Sequence, residues 1–238
     1  MKTAVIFTGH MRSFERCLPT QHWQIFRHLD APDLFVSTIA DADAPKAELL
    51  RARYPSARVE IDILSEQPDC IAEMRAKGVA LPAEWHPGRP YTHEPYPISV
   101  HPQAVLRQLW QLSHAWEKWD FSGYDFIIRT RPDLWFHSGL PFGFRCDLSL
   151  VPFWGSFGGI NDRFAILSKW AAKQYFTTYG RIHDLTLAGC PLHPESLLGA
   201  SMDQWELFPL NILFSTLRTT GEFRAPEVSG LDLASLPR

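Results

Sequence analysis

Apolar residues along this chain alternate between short unbroken runs and spaced stripes, the pattern of strands separated by helices. The run TAVIF (3–7) stops at TGH, which predicts a buried first strand feeding directly into a turn. Residues 14–29 carry a helical stripe of Phe14, Cys17, Leu18, Trp23, Phe26 and Leu29, interrupted by Pro19. DLFVSTI (33–39) predicts a second strand, KAELLRARY (46–54) a short helix before Pro55, and ARVEIDIL (57–64) an alternating third strand. Val105, Leu106, Leu109, Leu112, Trp116 and Trp119 recur at intervals of three or four, marking an amphipathic helix over 103–119.

In the next segment, GYDFIIRTRPDLWF, the consecutive Phe126, Ile127 and Ile128 predict a central strand covered on both faces. LSLVPFWGSFGGINDRFAILS (148–168) predicts a strand, a Gly-rich turn and a further short strand. KWAAKQYFTTYGRI (169–182) is helical until Gly180, and PESLLGASM (194–202) opens a helix with Pro and Glu in its first turn. Strands that alternate with helices predict a mostly parallel α/β sheet, whose ligands gather beyond the carboxyl ends of the strands.

Composition narrows the function class. The 238 residues, 45% hydrophobic, suit one domain (1–238) with an elaborated second half, and no repeat, low-complexity tract or linker divides them. With 23 basic and 26 acidic residues and no basic block, a nucleic-acid partner is disfavoured. Cys17, Cys70, Cys146 and Cys190 form no CxxC pair, which fits reduced thiols in the cytoplasm. The apolar run after Met1 is too short for a signal-peptide core, and no stretch approaches the roughly 18 apolar residues of a membrane span. Nine tryptophans and nineteen prolines suit an enzyme with long loops or a carbohydrate binder. Residues 79–102, rich in proline and histidine, form the longest such loop, and its histidines, including His86, His93 and His101, lack zinc-site spacing.

Four polar clusters carry candidate chemistry. In FTGHMRSF, Gly9 after the strand lets the backbone approach a ligand, and Arg12 can pair with a phosphate; the alternative is a plain strand-to-helix turn. In IIRTRPDLW, Arg129, Arg131 and Asp133 alternate, so an extended backbone sends them from one face at the strand's carboxyl end. There a carboxylate can hold a divalent cation and guanidinium groups can clamp phosphate oxygens; the alternative is a structural Arg–Asp pair. In GGINDRF, Asp162 can serve as general base or can, with Asn161, cap a turn. In CPLHPESLL, His193 is a candidate metal or phosphate ligand and Glu195 a candidate acid/base group, against a simple helix-start glutamate. Hydrolase signatures of the GxSxG or SxxK kind are absent.

Taken in chain order, GHMR, YDFIIRTRPDLWF and GGINDRFAI resemble the small bacterial glycosyltransferase-like proteins of capsule and O-antigen glycan clusters, over roughly residues 3–215. The resemblance implies a GT-A-like three-layer sandwich with a mostly parallel central sheet. A nucleotide-sugar-binding half (about 1–136) would precede an acceptor-binding half (137–238). It implies transfer of a sugar from a nucleotide-diphosphate donor to a glycan or lipid-linked acceptor, the latter compatible with peripheral membrane association. Thr8, Gly9, His10, Arg12, Arg129, Arg131 and Asp133 would bind the donor, Asp133 and His193 a metal, and Asp162 and Glu195 would meet the acceptor. The DxD motif expected to bind Mn²⁺ or Mg²⁺ is here Arg131-Pro132-Asp133, one carboxylate short. Two schemes therefore stand: a cation held at Asp133 with water and phosphate, or arginines that neutralise the diphosphate without metal. A non-catalytic binding or scaffold protein and a metal-dependent nucleotide phosphoesterase are the competing functions. Trp135, Trp154 and the aromatics of the 79–102 loop are candidate sugar-stacking surfaces.

Overall fold

The unbroken apolar runs become strands because each lies between two cores. In the first strand, β1 (Thr3–Thr8), Ala4 and Ile6 point into one hydrophobic cluster and Val5 and Phe7 into the other. A strand with both faces covered has no polar side to show in its sequence. The structure, a computed structural model, describes residues 1–79, 81, 101–140 and 148–224.

After β1 come α1 (Phe14–Gln24), β2 (Asp33–Ile39), α2 (Leu49–Arg53), β3 (Val59–Leu64) and α3 (Cys70–Ala76). The long α4 (Pro102–Lys118) leads into β4 (Phe126–Thr130) and β5 (Leu134–Phe136). The second half holds β6 (Ser149–Pro152), β7 (Ala165–Ser168), α5 (Lys169–Phe176), α6 (Ile182–Leu187) and α7 (Pro194–Ser201). It continues with β8 (Leu207–Leu210), β9 (Phe214–Leu217) and β10 (Phe223–Arg224).

Seven strands form the main sheet in the order β3-β2-β1-β4-β7-β6-β8. β3, β2, β1 and β4 are mutually parallel, β7 runs antiparallel to β4 and β6, and β8 pairs parallel with β6. This is the expected mixed α/β architecture with a mostly parallel sheet. Apolar residues of α4, α5 and α7 cover one face. On the other, α1 packs with the three-stranded sheet β10-β9-β5.

Several local expectations shift. Pro19 lies inside α1 without ending it, on the exposed side of a helix whose Phe14, Cys17, Leu18 and Gln21 are buried. The helix instead ends at Gln24, followed by a 3₁₀ turn over Phe26–His28. The 46–54 helix begins as a 3₁₀ turn over Ala44–Glu48, and the 169–182 helix breaks after Phe176 into a 3₁₀ segment and α6. The helix α3, which follows β3, had no counterpart in the sequence pattern; Asp69 caps it, its side chain accepting from the Ala72 N–H at 3.1 Å.

One shift touches the site directly. β4 ends at Thr130, so Arg131-Pro132-Asp133 is a turn and not an extended continuation of the strand. The chain leaves the main sheet there and enters the small one, where the Leu217 N–H donates to the Asp133 carbonyl at 2.9 Å. Residues 82–100, with His86 and His93, and 141–147, with Cys146, lie outside the described residues. Cys17, Cys70 and Cys190 are free thiols. Among the described residues no helix is long and apolar enough to cross a membrane.

Candidate functional site

The strand order creates a crevice. β2 and β3 extend from one side of β1 and β4 from the other, and such a reversal leaves a gap beyond the carboxyl ends of the strands. A cavity of about 310 Å³ lies there. Thr8, Gly9, His10 and Arg12 line it from the end of β1, Ile39 from β2, Gln67 from beyond β3, and Arg129 and Arg131–Asp133 from β4. All seven residues expected to bind a donor meet in this one cavity.

Each side chain is held there for a local reason. Gly9 adopts φ +122, a conformation that side-chain-bearing residues rarely take, and its N–H donates to the Ser37 carbonyl at 3.3 Å. His10 Nδ1 lies 2.7 Å from Asp41 Oδ2, and Lys46 Nζ donates to the Arg12 carbonyl at 2.8 Å. Arg131 and Asp133 form a two-point ion pair of 2.9 and 2.7 Å. Burial alone would raise the Asp133 pKa, but the Arg131 and then the Arg129 charges hold it below the usual carboxylate range.

Arg129 is 1% exposed and donates through Nη1 to the Arg163 carbonyl. Burial pulls its pKa down, while Tyr175, Asp162 and Asp133 favour the charged form. Among the described residues its Nε has no hydrogen-bond partner, so this buried cation keeps a donor in reserve.

The fourth wall was missed in the sequence. Ala104, Arg107, Gln108 and Gln111 follow the i, i+3, i+4, i+7 spacing along α4 and face the cavity. In the sequence they look like the solvent face of an amphipathic helix. The available signal was that this polar stripe sits in the helix half nearest the long loop.

The acids expected at the acceptor form a separate buried nest. Asn161 shapes the turn, its Oδ1 accepting from the N–H groups of Arg163 at 2.9 Å and Phe164 at 3.3 Å. Asp162 is thereby free of capping duty; Gln108 Nε2 donates to its Oδ2 at 2.6 Å, and Arg163 Nε lies 3.6 Å from Oδ1. Glycine is needed at 159 because a Cβ there would sit 1.8 Å from the Glu195 carbonyl oxygen. That contact presses the loop onto α7 and brings Glu195 to Asp162. Burial first, and the Asp162 charge second, push the Glu195 carboxyl up to about 9. The Arg163, Arg129 and Arg131 charges outweigh burial at Asp162 and hold it low.

His193 Nδ1 lies 3.2 Å from Glu195 Oε2 and belongs to this nest, not to the cavity wall that holds Asp133. Among the described residues no group of three or more His, Cys, Asp or Glu side chains gathers to hold a metal. Among the described residues the cavity wall offers Asp133 as its one carboxylate, already paired to Arg131, and this donor set does not fit a divalent cation. Trp154 is not a stacking surface: it is 4% exposed, donates to the Ile212 carbonyl at 2.7 Å and packs on Phe214. Trp135 lies edge-on to Phe223, away from the cavity wall.

Residues 1–192 match the family described as Domain of unknown function (DUF7796). The chain belongs to this family. The matched segment contains every residue along the cavity and Asp162, and ends before His193 and Glu195. No curated protein matches the chain.

Proposed function

We propose that the protein is a GT-A-like glycosyltransferase that takes a nucleotide-diphosphate sugar in the cavity beyond β1 and β4. The observation that carries this reading is the charge of the wall: among the described residues, Arg12, Arg107, Arg129 and Arg131 stand against the single carboxylate of Asp133. Guanidinium groups bind phosphate oxygens through paired N–H donors, and partial burial strengthens each contact. The cavity volume is that of a small-molecule site at a topological switch point.

In the proposed reaction the bond between the sugar's anomeric carbon and the diphosphate oxygen breaks as the acceptor oxygen bonds to that carbon. Negative charge grows on the departing diphosphate, where Arg129 and Arg131 stabilise it. Asp162 lies behind Gln108, which lines the wall and donates to its Oδ2; the acceptor hydroxyl's proton goes to that oxygen once the Gln108 amide turns aside and the hydroxyl takes its place as the hydrogen-bond donor. Glu195 is unsuited to the same task, because burial and the Asp162 charge keep it protonated at neutral pH. Of the two charge-stabilising schemes open from sequence, the arginine scheme agrees with the engaged state of Asp133.

A second reading is favoured by the same pair. With Asp133, the one lining carboxylate among the described residues, neutralised by Arg131, a protein that binds nucleotide sugars without turning them over is consistent with the geometry. Titration with UDP-, GDP- and dTDP-sugars, with and without Mn²⁺, tests binding, a CMP-sugar with its single phosphate serving as comparison, and release of the nucleotide in the presence of glycan acceptors tests transfer. Saturable binding of a diphosphate donor that needs no Mn²⁺ is expected. Failure of all three diphosphate donors to bind would overturn both readings, and binding without release would leave the second.

A further inference from the structure

Away from the arginine-lined cavity, at the carboxyl end of α4, lies a second cavity of about 310 Å³. It sits at the amino end of β4, since Ser168, just before α5, pairs with Phe126. Its lining includes Trp116, Trp119, Phe121 and Trp170, with Lys169 and Lys173.

The aromatic floor is fixed. Trp116 stacks on Phe121 at 5.0 Å and on Phe176 at 5.5 Å, and Trp119 packs against Phe35 at 5.2 Å. Trp170 differs, being 64% exposed, with Lys169 Nζ 4.9 Å from its ring centre and no ring-to-ring contact among the described residues. An indole held in water beside a rigid aromatic floor presents flat apolar faces to a ligand. Lys169 and Lys173 lie one helical turn apart on α5, and neither has a carboxylate partner among the described residues. Among the described residues Asp120 is the one acid on the wall, so there cations exceed anions.

Flat rings suit the C–H faces of a pyranose, two ammonium groups suit carboxylates or sulfates, and the volume suits a small ligand. We propose that this cavity binds an acidic saccharide, with the indoles against the sugar faces and Lys169 and Lys173 paired to its anionic groups. This site is separate from the proposed donor cavity and does not depend on it.

Calorimetric titration of the full chain with tetragalacturonate and with a heparin-derived tetrasaccharide, using maltotetraose as neutral control, tests the proposal. At least one acidic probe is expected to bind at least tenfold more tightly than maltotetraose. Trp170→Ala should weaken it at least tenfold and the Lys169→Gln/Lys173→Gln double variant at least fivefold, with circular dichroism unchanged. Arg131→Gln, in the other cavity, should leave it within twofold. Binding of neither acidic probe, equal binding of maltotetraose, unchanged affinity in Trp170→Ala, or loss in Arg131→Gln would each overturn the proposal. Nucleotide sugars titrated into Trp170→Ala report separately on the donor reading, because that variant leaves the arginine cavity intact.

Discussion

Arg131 and Asp133 hold each other through two hydrogen bonds, Nε to Oδ1 at 2.9 Å and Nη2 to Oδ2 at 2.7 Å, across the turn that ends β4. The carboxylate is thereby engaged at both oxygens, whereas the guanidinium keeps its remaining N–H donors for a ligand. Arg131→Gln is expected to weaken inorganic pyrophosphate at least tenfold by calorimetry. Asp133→Asn should stay within about threefold of the native affinity while losing roughly 1–2 kcal/mol of stability, as for a partly exposed ion pair. Loss of binding in Asp133→Asn seen only with Mn²⁺ present would restore the metal scheme.

Arg129 and Arg12 line the same cavity with different burial, which separates affinity from stability. Arg129→Gln removes one of the positive charges that hold Asp162 ionised, leaving Arg163 and Arg131, and truncates a fully buried hydrogen-bonded side chain, which should cost about 3 kcal/mol in urea unfolding. Arg12 is exposed, so Arg12→Gln should change stability by less than about 0.5 kcal/mol. Both substitutions should weaken pyrophosphate, and raising the salt concentration should weaken it further in the native protein.

Glu195 makes stability depend on pH in an unusual direction. Its folded pKa, raised to about 9, lies above the ordinary value of about 4.3 in an unfolded chain. Its contribution is therefore fully present below about pH 4 and is lost progressively as pH rises towards 9. Asp133 and Asp162 act oppositely: their pKa values are lowered, so their contribution is lost as pH falls below the ordinary value of about 3.9. The urea midpoint should fall between pH 5 and pH 9, and Glu195→Gln should flatten that slope. An equal slope in both proteins would show that Glu195 is not the titrating group.

Gly159 and Gly180 provide a packing test of the acidic nest. A Cβ at 159 meets the Glu195 carbonyl and backbone, neither of which can swing aside, so Gly159→Ala should cost about 3 kcal/mol. Nothing lies within 4 Å of a Cβ at 180, and Gly180→Ala should be neutral or stabilising by about 0.5 kcal/mol. Thermal unfolding of the two variants measures the contrast directly. Similar melting temperatures would mean that the loop does not press on α7.

Periodicity located the elements because it is local. DLFVSTI became β2 with the expected bounds, and α4 starts and stops within one residue of the expected 103–119. The turns were less legible. Alternation suggested that Arg129, Arg131 and Asp133 extend from one face of a strand. In the structure β4 stops at Thr130, and the turn after it hands the chain to the small sheet. α3 was missed because it is short and shows little apolar repeat around Cys70 and Met74.

The sequence by itself determined which segments are buried strands and amphipathic helices, and that a turn carrying Gly9 follows the first strand. Those are consequences of side-chain period and of the special conformations that glycine and proline allow. Tertiary structure alone decided that β4 returns to pair with β1, which places the TGHMR turn beside the RPD turn and closes both with Arg107, Gln108 and Gln111 of α4. Strand partners far apart in sequence are selected by how the whole sheet buries its two faces, and no local window contains that information. The same packing drew Asp162 and Glu195 together, and so fixed which of them stays ionised.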